Sequence, residues 1–273
     1  DLHSFPTRRS SDLRTYKVYK NALLLKEKKN RRESGLFLVE GQKQTAEIDG
    51  SWNIRNFFIS ESFQQKHKFA NPAKTFTISD KLFKRLSSTQ TPQGIIAVAE
   101  KKTYDVKKLI KTAGNGFFVI LEQIQDPGNL GTVIRCADAF GAKAVFVSKG
   151  SADIYSDKTM RSAMGSIFHL PVADETDTKN LIGLMKEEGV MAFAASLEGG
   201  QNLQNFVFPQ KSAVIIGNEA KGLSPEIQKQ ACGLVKIYMP GKAESLNAAV
   251  AAAIIMYETA KKTVFCIKRN IFM

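Results

Sequence analysis

Two apolar, β-rich runs that each break at a glycine constrain this chain most. The first is Ala213-Val-Ile-Ile-Gly-Asn-Glu-Ala-Lys-Gly-Leu-Ser224, in which the run stops at Gly217 and a short polar turn carries Asn218 and Glu219. The second runs from Leu234 to Met239, breaks at Pro240-Gly241 and leads into a helix opening at Ser245-Leu246-Asn247. Upstream, Asp126-Pro-Gly-Asn-Leu-Gly-Thr-Val-Ile-Arg135 repeats the design of strand, glycine turn and helix. Strands that end in glycine turns put free backbone amides, a carboxylate and amide side chains at the C-terminal edge of a sheet, where open α/β sheets bind ligands.

The rest of the chain alternates in the same way, so an α/β fold with a mostly parallel sheet is expected. From Phe117, successive strands are read at 117–121, 144–147 and 191–196, with a short extended piece at 168–172. Helices are expected from about Asn129, where Val133, Ile134, Ala137 and Phe140 share a side, at 160–164, at 181–188, and from Ser245 to Lys262. That last helix carries Ala248, Ala249, Ala251, Ala252 and Ala253, small residues that let other backbone approach.

Residues 14–100 read as a separate, smaller α/β domain, with strands at 35–40, 56–60, 75–78 and 94–99 and helices at 41–48 and 81–86. Ser79-Asp80 is placed to cap the latter helix. The basic stretch Arg14–Arg32 is helix-compatible, with Leu23, Leu24 and Leu25 as its apolar anchor. The cations Lys26, Lys28, Lys29, Arg31 and Arg32 at its end suit either a solvated helix terminus or a phosphate-contacting patch. Residues 101–116 are polar, basic and end in Gly-Asn-Gly, and are read as a linker; 117–262 form the second domain and 263–273 a tail. Residues 1–13 are read as foreign, because His3-Ser-Phe-Pro-Thr-Arg-Arg-Ser-Ser-Asp-Leu13 resembles the translation of a sequencing-adapter oligonucleotide.

Composition narrows the function classes. A formal net charge of +13 points to nucleic acid or another anionic partner. Cys136, Cys232 and Cys266 lie far apart with no Cys-x-x-Cys pair, which suits a reduced cytoplasmic compartment and neither disulfides nor zinc. No apolar run is long enough to span a membrane. Isolated histidines and the absence of a cysteine cluster argue against metal chemistry; His67 reads as a surface residue and Trp52 as packing. There is no G-x-G-x-x-G after a strand, no G-x-S-x-G, and the Gly217–Gly222 spacing is followed by Leu223-Ser224, so it is no P-loop. Asn129, Arg135, Glu219, Ser245 and Asn247 remain, a set suited to orienting a polar or anionic substrate. Singly, each has a structural reading: Arg135 as an ion-pair partner, Glu219 as a helix-start carboxylate, Ser245 as an N-cap with Asn247 in the first turn.

The three segments Asn129–Arg135, Gly217–Leu223 and Ile237–Asn247, in that order, resemble the motifs of the SpoU (TrmH-like) RNA 2′-O-ribose methyltransferases of the SPOUT superfamily. Residues 14–100 resemble the L30e-like RNA-binding domain that precedes the catalytic domain in the ribosomal-RNA members. The resemblance implies S-adenosyl-L-methionine as cofactor, a deep trefoil knot in the C-terminal third and a homodimer with its site at the subunit interface. It implies cofactor contacts at Gly217, Ile237, Met239 and Leu246. It also implies catalysis by Arg135, aided by Asn129, Glu219, Ser245 and Asn247. The expected substrate is 23S ribosomal RNA, with transfer RNA as the alternative and a non-catalytic RNA-binding module as the competing class. Two roles stay open for Arg135: activating the 2′-hydroxyl as a base, or binding the neighbouring phosphate and lowering the hydroxyl's pKa. Tyr238-Met239-Pro240 departs from the Pro-Met-x of many relatives, and altered loop detail is expected there.

Overall fold

The computed structural model describes residues 10–67 and 74–269, with the side chains of 14–67 and 74–261. Of the foreign-looking segment 1–13, only residues 10–13 fall within this range, and the 263–273 tail is described as far as Arg269. Two units divide the chain. One runs to Lys102 and takes in Tyr155–Asp157; the other comprises Thr103–Ile154 and the chain from Lys158 onward.

In the first unit, α1 (Ser10–Leu24) and α2 (Lys28–Ser34) precede β1 (Leu36–Glu40), α3 (Gln42–Ala46), β2 (Ile54–Ser60), α4 (Glu61–Lys66), β3 (Thr75–Ile78), α5 (Asp80–Leu86) and β4 (Ile95–Glu100). The sheet order is β1-β4-β2-β3. β4 runs antiparallel to both neighbours, and β2 and β3 are parallel. Alternate strand residues Leu38, Phe58, Ile96 and Val98 meet Leu82, Phe83 and Leu86 of α5 and Tyr19 and Ala22 of α1 in one core. Ser79 caps α5 by accepting from the Leu82 amide. Trp52 is buried edge-on to Phe37, and the exposed His67 stacks on Phe63.

The amino-terminal anchor differs from the expected triplet. Leu24 is 51% exposed, and the buried seam is Tyr19, Ala22 and Leu25, which recur at the helical interval. The cation cluster is also divided in use. Arg31 is buried and donates to the Leu25 and Lys26 carbonyls at 2.7 and 2.8 Å. Lys26 Nζ donates to the Arg85 and Ser87 carbonyls at 2.8 and 2.9 Å. Both satisfy carbonyls orphaned where helices end. That leaves Lys28, Lys29 and Arg32 exposed.

The second unit opens inside the expected linker. Asp105 accepts from the Lys108 amide and caps α6 (Val106–Thr112), whose Ile110 is buried. There follow β5 (Gly116–Leu121), α7 (Pro127–Ala139), β6 (Val145–Ser148), α8 (Asp157–Ala163), β7 (Val172–Thr176), α9 (Thr178–Glu187), β8 (Met191–Ala195), β9 (Gln201–Asn202), β10 (Lys211–Ile216), α10 (Pro225–Gln230), β11 (Gly233–Lys236) and α11 (Ala248–Arg269). The sheet order is β7-β6-β5-β10-β8-β11-β9, and every pairing is parallel. β5 and β10 are buried along nearly their whole length, as continuous apolar runs in parallel sheets are.

The strand order positions the site. From β5 the chain builds outward to β6 and β7, then crosses to lay β8 on the far side of a gap that β10 later fills. After β11, two strands out from β10, the chain returns, and α11 packs on α7, β5 and β10. Three readings shift. Residues 166–168 form a 3₁₀ turn, so the strand expected at 168–172 begins only at Val172. β11 stops at Lys236, leaving Ile237–Pro240 free of regular structure and able to line a wall. The last helix starts at Ala248, after both Ser245 and Asn247.

Candidate active site

β8, β10 and β11 are neighbours, and their C-terminal ends open onto a cavity of about 730 Å³. One wall is Ala195–Gly199 after β8, the second Gly217–Leu223 after β10, and the third Ile237, Met239, Ser245 and Leu246 between β11 and α11. Ile216, Val235 and Ile255 make its floor apolar, while Ser196, Asn218 and Gln228 supply polar atoms. A methyl group at Gly217 would lie 2.6 Å from the Gly222 carbonyl carbon and 2.8 Å from Leu223 Cγ, so only glycine permits this loop. All four residues expected around a cofactor, Gly217, Ile237, Met239 and Leu246, face this one cavity, together with Glu219 and Ser245.

Three of the expected residues form a hydrogen-bonded line. Asn247 Nδ2 donates to Asn129 Oδ1 at 3.0 Å, and Asn129 Nδ2 donates to Glu219 Oε1 at 3.1 Å. The direction is dictated by α11. Asn247 Oδ1 accepts from the Ala249 and Val250 amides at 2.9 and 3.3 Å, so its NH₂ group must face Asn129. Asn247, not Ser245, is therefore the helix cap, because only its side chain reaches the orphan amides from this position. Ser245 is exposed on the cavity wall.

Glu219 also accepts from the Gln125 amide at 3.1 Å and the Asp126 amide at 3.2 Å. Partial burial pushes its pKa up, but these amides and Asn129 outweigh it and hold the carboxyl below its ordinary range. Asp126 opens α7: its Oδ1 accepts from the Asn129 amide at 2.8 Å and its Oδ2 takes Lys158 Nζ at 2.6 Å. The Lys158 bond keeps the Asp126 carboxyl low as well.

Arg135 stands apart. It lies on the exposed side of α7, does not line the cavity, and has no hydrogen-bond or ion-pair partner among the described residues. The wall at Ala195–Gly199 was not expected from the sequence; its signal is the Gly199-Gly200 turn shortly after an apolar strand. Sequence reasoning also left Asn218 and Asp126, the residues that brace the line, without a site role. Among the described residues no group of histidine, cysteine, aspartate and glutamate side chains could hold a metal ion. No helix of the described residues is long and apolar enough to cross a membrane.

Comparison with known proteins bears on this geometry. Residues 116–257, which contain the cavity and the whole line, match the family model described as the SpoU rRNA Methylase family. The chain belongs to the SpoU rRNA methylase family. Residues 18–97 match a second model, the MRM3-like substrate binding domain. Among SpoU relatives, the 23S rRNA (guanosine(2553)-2′-O)-methyltransferase RlmP of Bacillus subtilis is 33% identical, the alignment covering 84% of this chain and 90% of that one. The 23S rRNA (uridine(2479)-2′-O)-methyltransferase of Streptomyces viridochromogenes is 29% identical, covering 88% of each. In structure, the AdoMet-bound rRNA methyltransferase of Sinorhizobium meliloti superposes with a TM-score of 0.80 at 29% identity, covering 89% of this SpoU chain and 94% of that one.

Proposed function

We propose that this protein is an S-adenosylmethionine-dependent RNA 2′-O-ribose methyltransferase acting on 23S ribosomal RNA. The observation that carries the reading is the line Asn247–Asn129–Glu219, one residue from each motif, at the rim of a cavity faced by all four expected cofactor residues. The cavity fits the cofactor by its own features. Its volume lies in the range of small-molecule sites, roughly 300–1,000 Å³, and its apolar floor suits an adenine ring. Main-chain groups of Gly217 and of the irregular 237–240 segment are available to read the ring's edge. Bound there, S-adenosylmethionine supplies a methyl group on a positively charged sulfur, ready for attack by an oxygen.

The chain's own task is to hold a ribose hydroxyl in line and make it more acidic, its proton passing to solvent as the oxygen takes the methyl group. Alignment alone contributes on the order of 7–11 kcal/mol. Glu219 is a poor base, since both its oxygens already accept and its pKa is depressed; it orients the Asn129 amide instead. Arg135 is exposed and without a partner among the described residues, and a guanidinium stays protonated. It acts by binding the phosphate beside the target ribose and stabilising the oxyanion that develops.

Arg135 reaches the reacting hydroxyl from a second copy of the chain. Val250, Ile254 and Tyr257 form an exposed apolar stripe on α11, and Tyr257 stacks edge-on with Phe140 at the end of Arg135's own helix. Such a stripe suits a symmetric dimer in which each Arg135 serves its partner's cavity while Asn129 stays with its own. The return of α11 onto β5 and β10 after β11 supports a trefoil knot in this unit. The described cysteines, Cys136 and Cys232, are free thiols, in keeping with a cytoplasmic setting.

Ribosomal RNA is preferred over transfer RNA because the rRNA relatives named above align with the small first unit as well as the catalytic one. The test is methyl transfer from labelled S-adenosylmethionine to 23S ribosomal RNA and to transfer RNA, with the product nucleotide mapped. A 2′-O-methyl on ribosomal RNA is expected. Cofactor binding without transfer to either RNA would leave only a binding module.

A further inference from the structure

In Asn218 the main chain and both side-chain amide atoms are all engaged. Its amide and carbonyl bridge to Gly222 at 3.2 and 2.9 Å, folding 218–222 into a tight turn. Its Oδ1 accepts from the Ala220 and Lys221 amides at 3.0 and 2.9 Å, an Asx-type turn. Its Nδ2 donates across to the Gln123 carbonyl at 2.7 Å. Gln123 sits just past β5 with φ +51°, a left-handed conformation that a side-chain-bearing residue adopts only when its surroundings enforce it. In that conformation its carbonyl takes a second bond, from Gln125 Nε2 at 3.1 Å. Two and three residues further on, the Gln125 and Asp126 amides donate back to the Glu219 carboxylate. The loops after β5 and β10 are thus sewn together in both directions, with the donor from Asn218 on one side of Glu219 and two acceptances by Glu219 on the other.

We propose that Asn218 is a positioning residue for methyl transfer: by fastening to the Gln123 carbonyl it fixes where Glu219 meets the Gln125 and Asp126 amides, and through Glu219 it aims the Asn129 amide. The assignment rests on the functional reading above. The side chain must be asparagine for a stated reason. Aspartate would keep the two accepted bonds from Ala220 and Lys221 but turn a second oxygen toward the Gln123 carbonyl. Serine would keep an acceptor for the turn and fall short of Gln123. Either change cuts the clasp while leaving the turn a means to close.

The experiment measures kcat, KM for RNA, the Kd of S-adenosylmethionine by calorimetry and the melting temperature for the wild type, Asn218→Asp, Glu219→Gln and the double variant. Asn218→Asp is expected to lose about 10- to 100-fold in kcat, the scale of a misplacement near 1 Å, with any change in cofactor Kd well below the fall in kcat. The double variant is expected to be no slower than Glu219→Gln alone, since both changes break one linkage. Wild-type kcat in Asn218→Asp overturns the assignment. So does a rise in cofactor Kd as large as the fall in kcat, which would make Asn218 a cofactor contact, and so does full multiplicativity with Glu219→Gln. Should Asn218→Asp melt below the assay temperature, Asn218→Ser is read against the same criteria. A wild type that methylates no RNA overturns the functional reading itself, whereas an active wild type with an unimpaired Asn218→Asp overturns this assignment alone.

Discussion

Asn247 donates to Asn129 across 118 residues of chain, and the bond's direction is set by the helix that Asn247 caps. Asn247→Asp therefore separates two roles. The carboxylate still caps α11, with a favourable charge at a helix N-terminus, but has no hydrogen to give Asn129. The melting temperature should stay near wild type while kcat falls about 10-fold or more. Asn247→Ala loses the cap as well, about 1 kcal/mol, which lowers the melting temperature by about 2–4 °C. A paired melt and methylation assay reads both.

Arg135→Ala should abolish methyl transfer and leave the Kd of S-adenosylmethionine near normal, because Arg135 touches no wall of the cavity. Arg135→Lys should recover only part of the rate, since an ammonium lacks the planar fork that grips a phosphate. Retained turnover in Arg135→Ala would remove this residue from the mechanism.

The proposed dimer is tested on the α11 stripe. Ile254 is 37% exposed, so Ile254→Glu should barely change the stability of an isolated chain. Sedimentation should show a monomer, and activity should vanish with it if Arg135 serves the partner's cavity. A monomeric wild type with full activity would contradict both.

Glu40 carries the pH prediction for the first unit. Half-buried at the end of β1, it accepts from Ser87 Oγ, the Ser88 amide and hydroxyl at 2.8 and 2.9 Å, and Thr89 Oγ1 at 2.8 Å. Burial raises its pKa, and the four bonds outweigh that and lower it below the ordinary 4.5. A carboxyl depressed in the folded state stabilises fully above its unfolded value, and the gain is lost as pH falls through the folded one. Melting temperature measured between about pH 3 and 7 should drop on the acid side in wild type. In Glu40→Gln it should start lower and vary less.

Gly131 lets α7 lie on α8 by direct backbone contact. A methyl there would sit 2.4 Å from the Thr159 carbonyl oxygen and 2.9 Å from the Ala163 amide nitrogen. Gly131→Ala should cost about 1–3 kcal/mol of stability and, by moving the helix that bears Asn129, lower kcat in the protein that still folds. Thermal melting with a rate measurement checks both.

Much of the candidate cavity's lining is legible in the sequence because its parts flank regular elements: Gly217 follows β10, Ile237 and Met239 follow β11, and Leu246 precedes α11. The parallel sheet was legible because β5 and β10 are continuous apolar runs. Pairings between distant polar atoms were not. Nothing near Lys26 or Arg31 in sequence indicates that they serve carbonyls, in the case of Lys26 on a helix 59 residues away. The helix α6 was hidden because its apolar residues stand among lysines, and its only local mark was the capping Asp105. Ser245 looked the better cap because serine suits that role and Asn247 looked like a first-turn residue. The fold decides otherwise by starting the helix at Ala248.

The late insertion of β10 between β5 and β8 bears on how the protein is made. As the polypeptide leaves the ribosome, β5 through β9 emerge before the strand that completes the middle of their sheet. Parallel pairings of such wide sequence separation form slowly. The cavity-lining loops at 195–199, 217–223 and 237–246 are all in place only after that strand is seated. Synthesis therefore leaves the sheet without its middle strand until β10 has emerged, and the apolar edges of β5 and β8 stay uncovered until then.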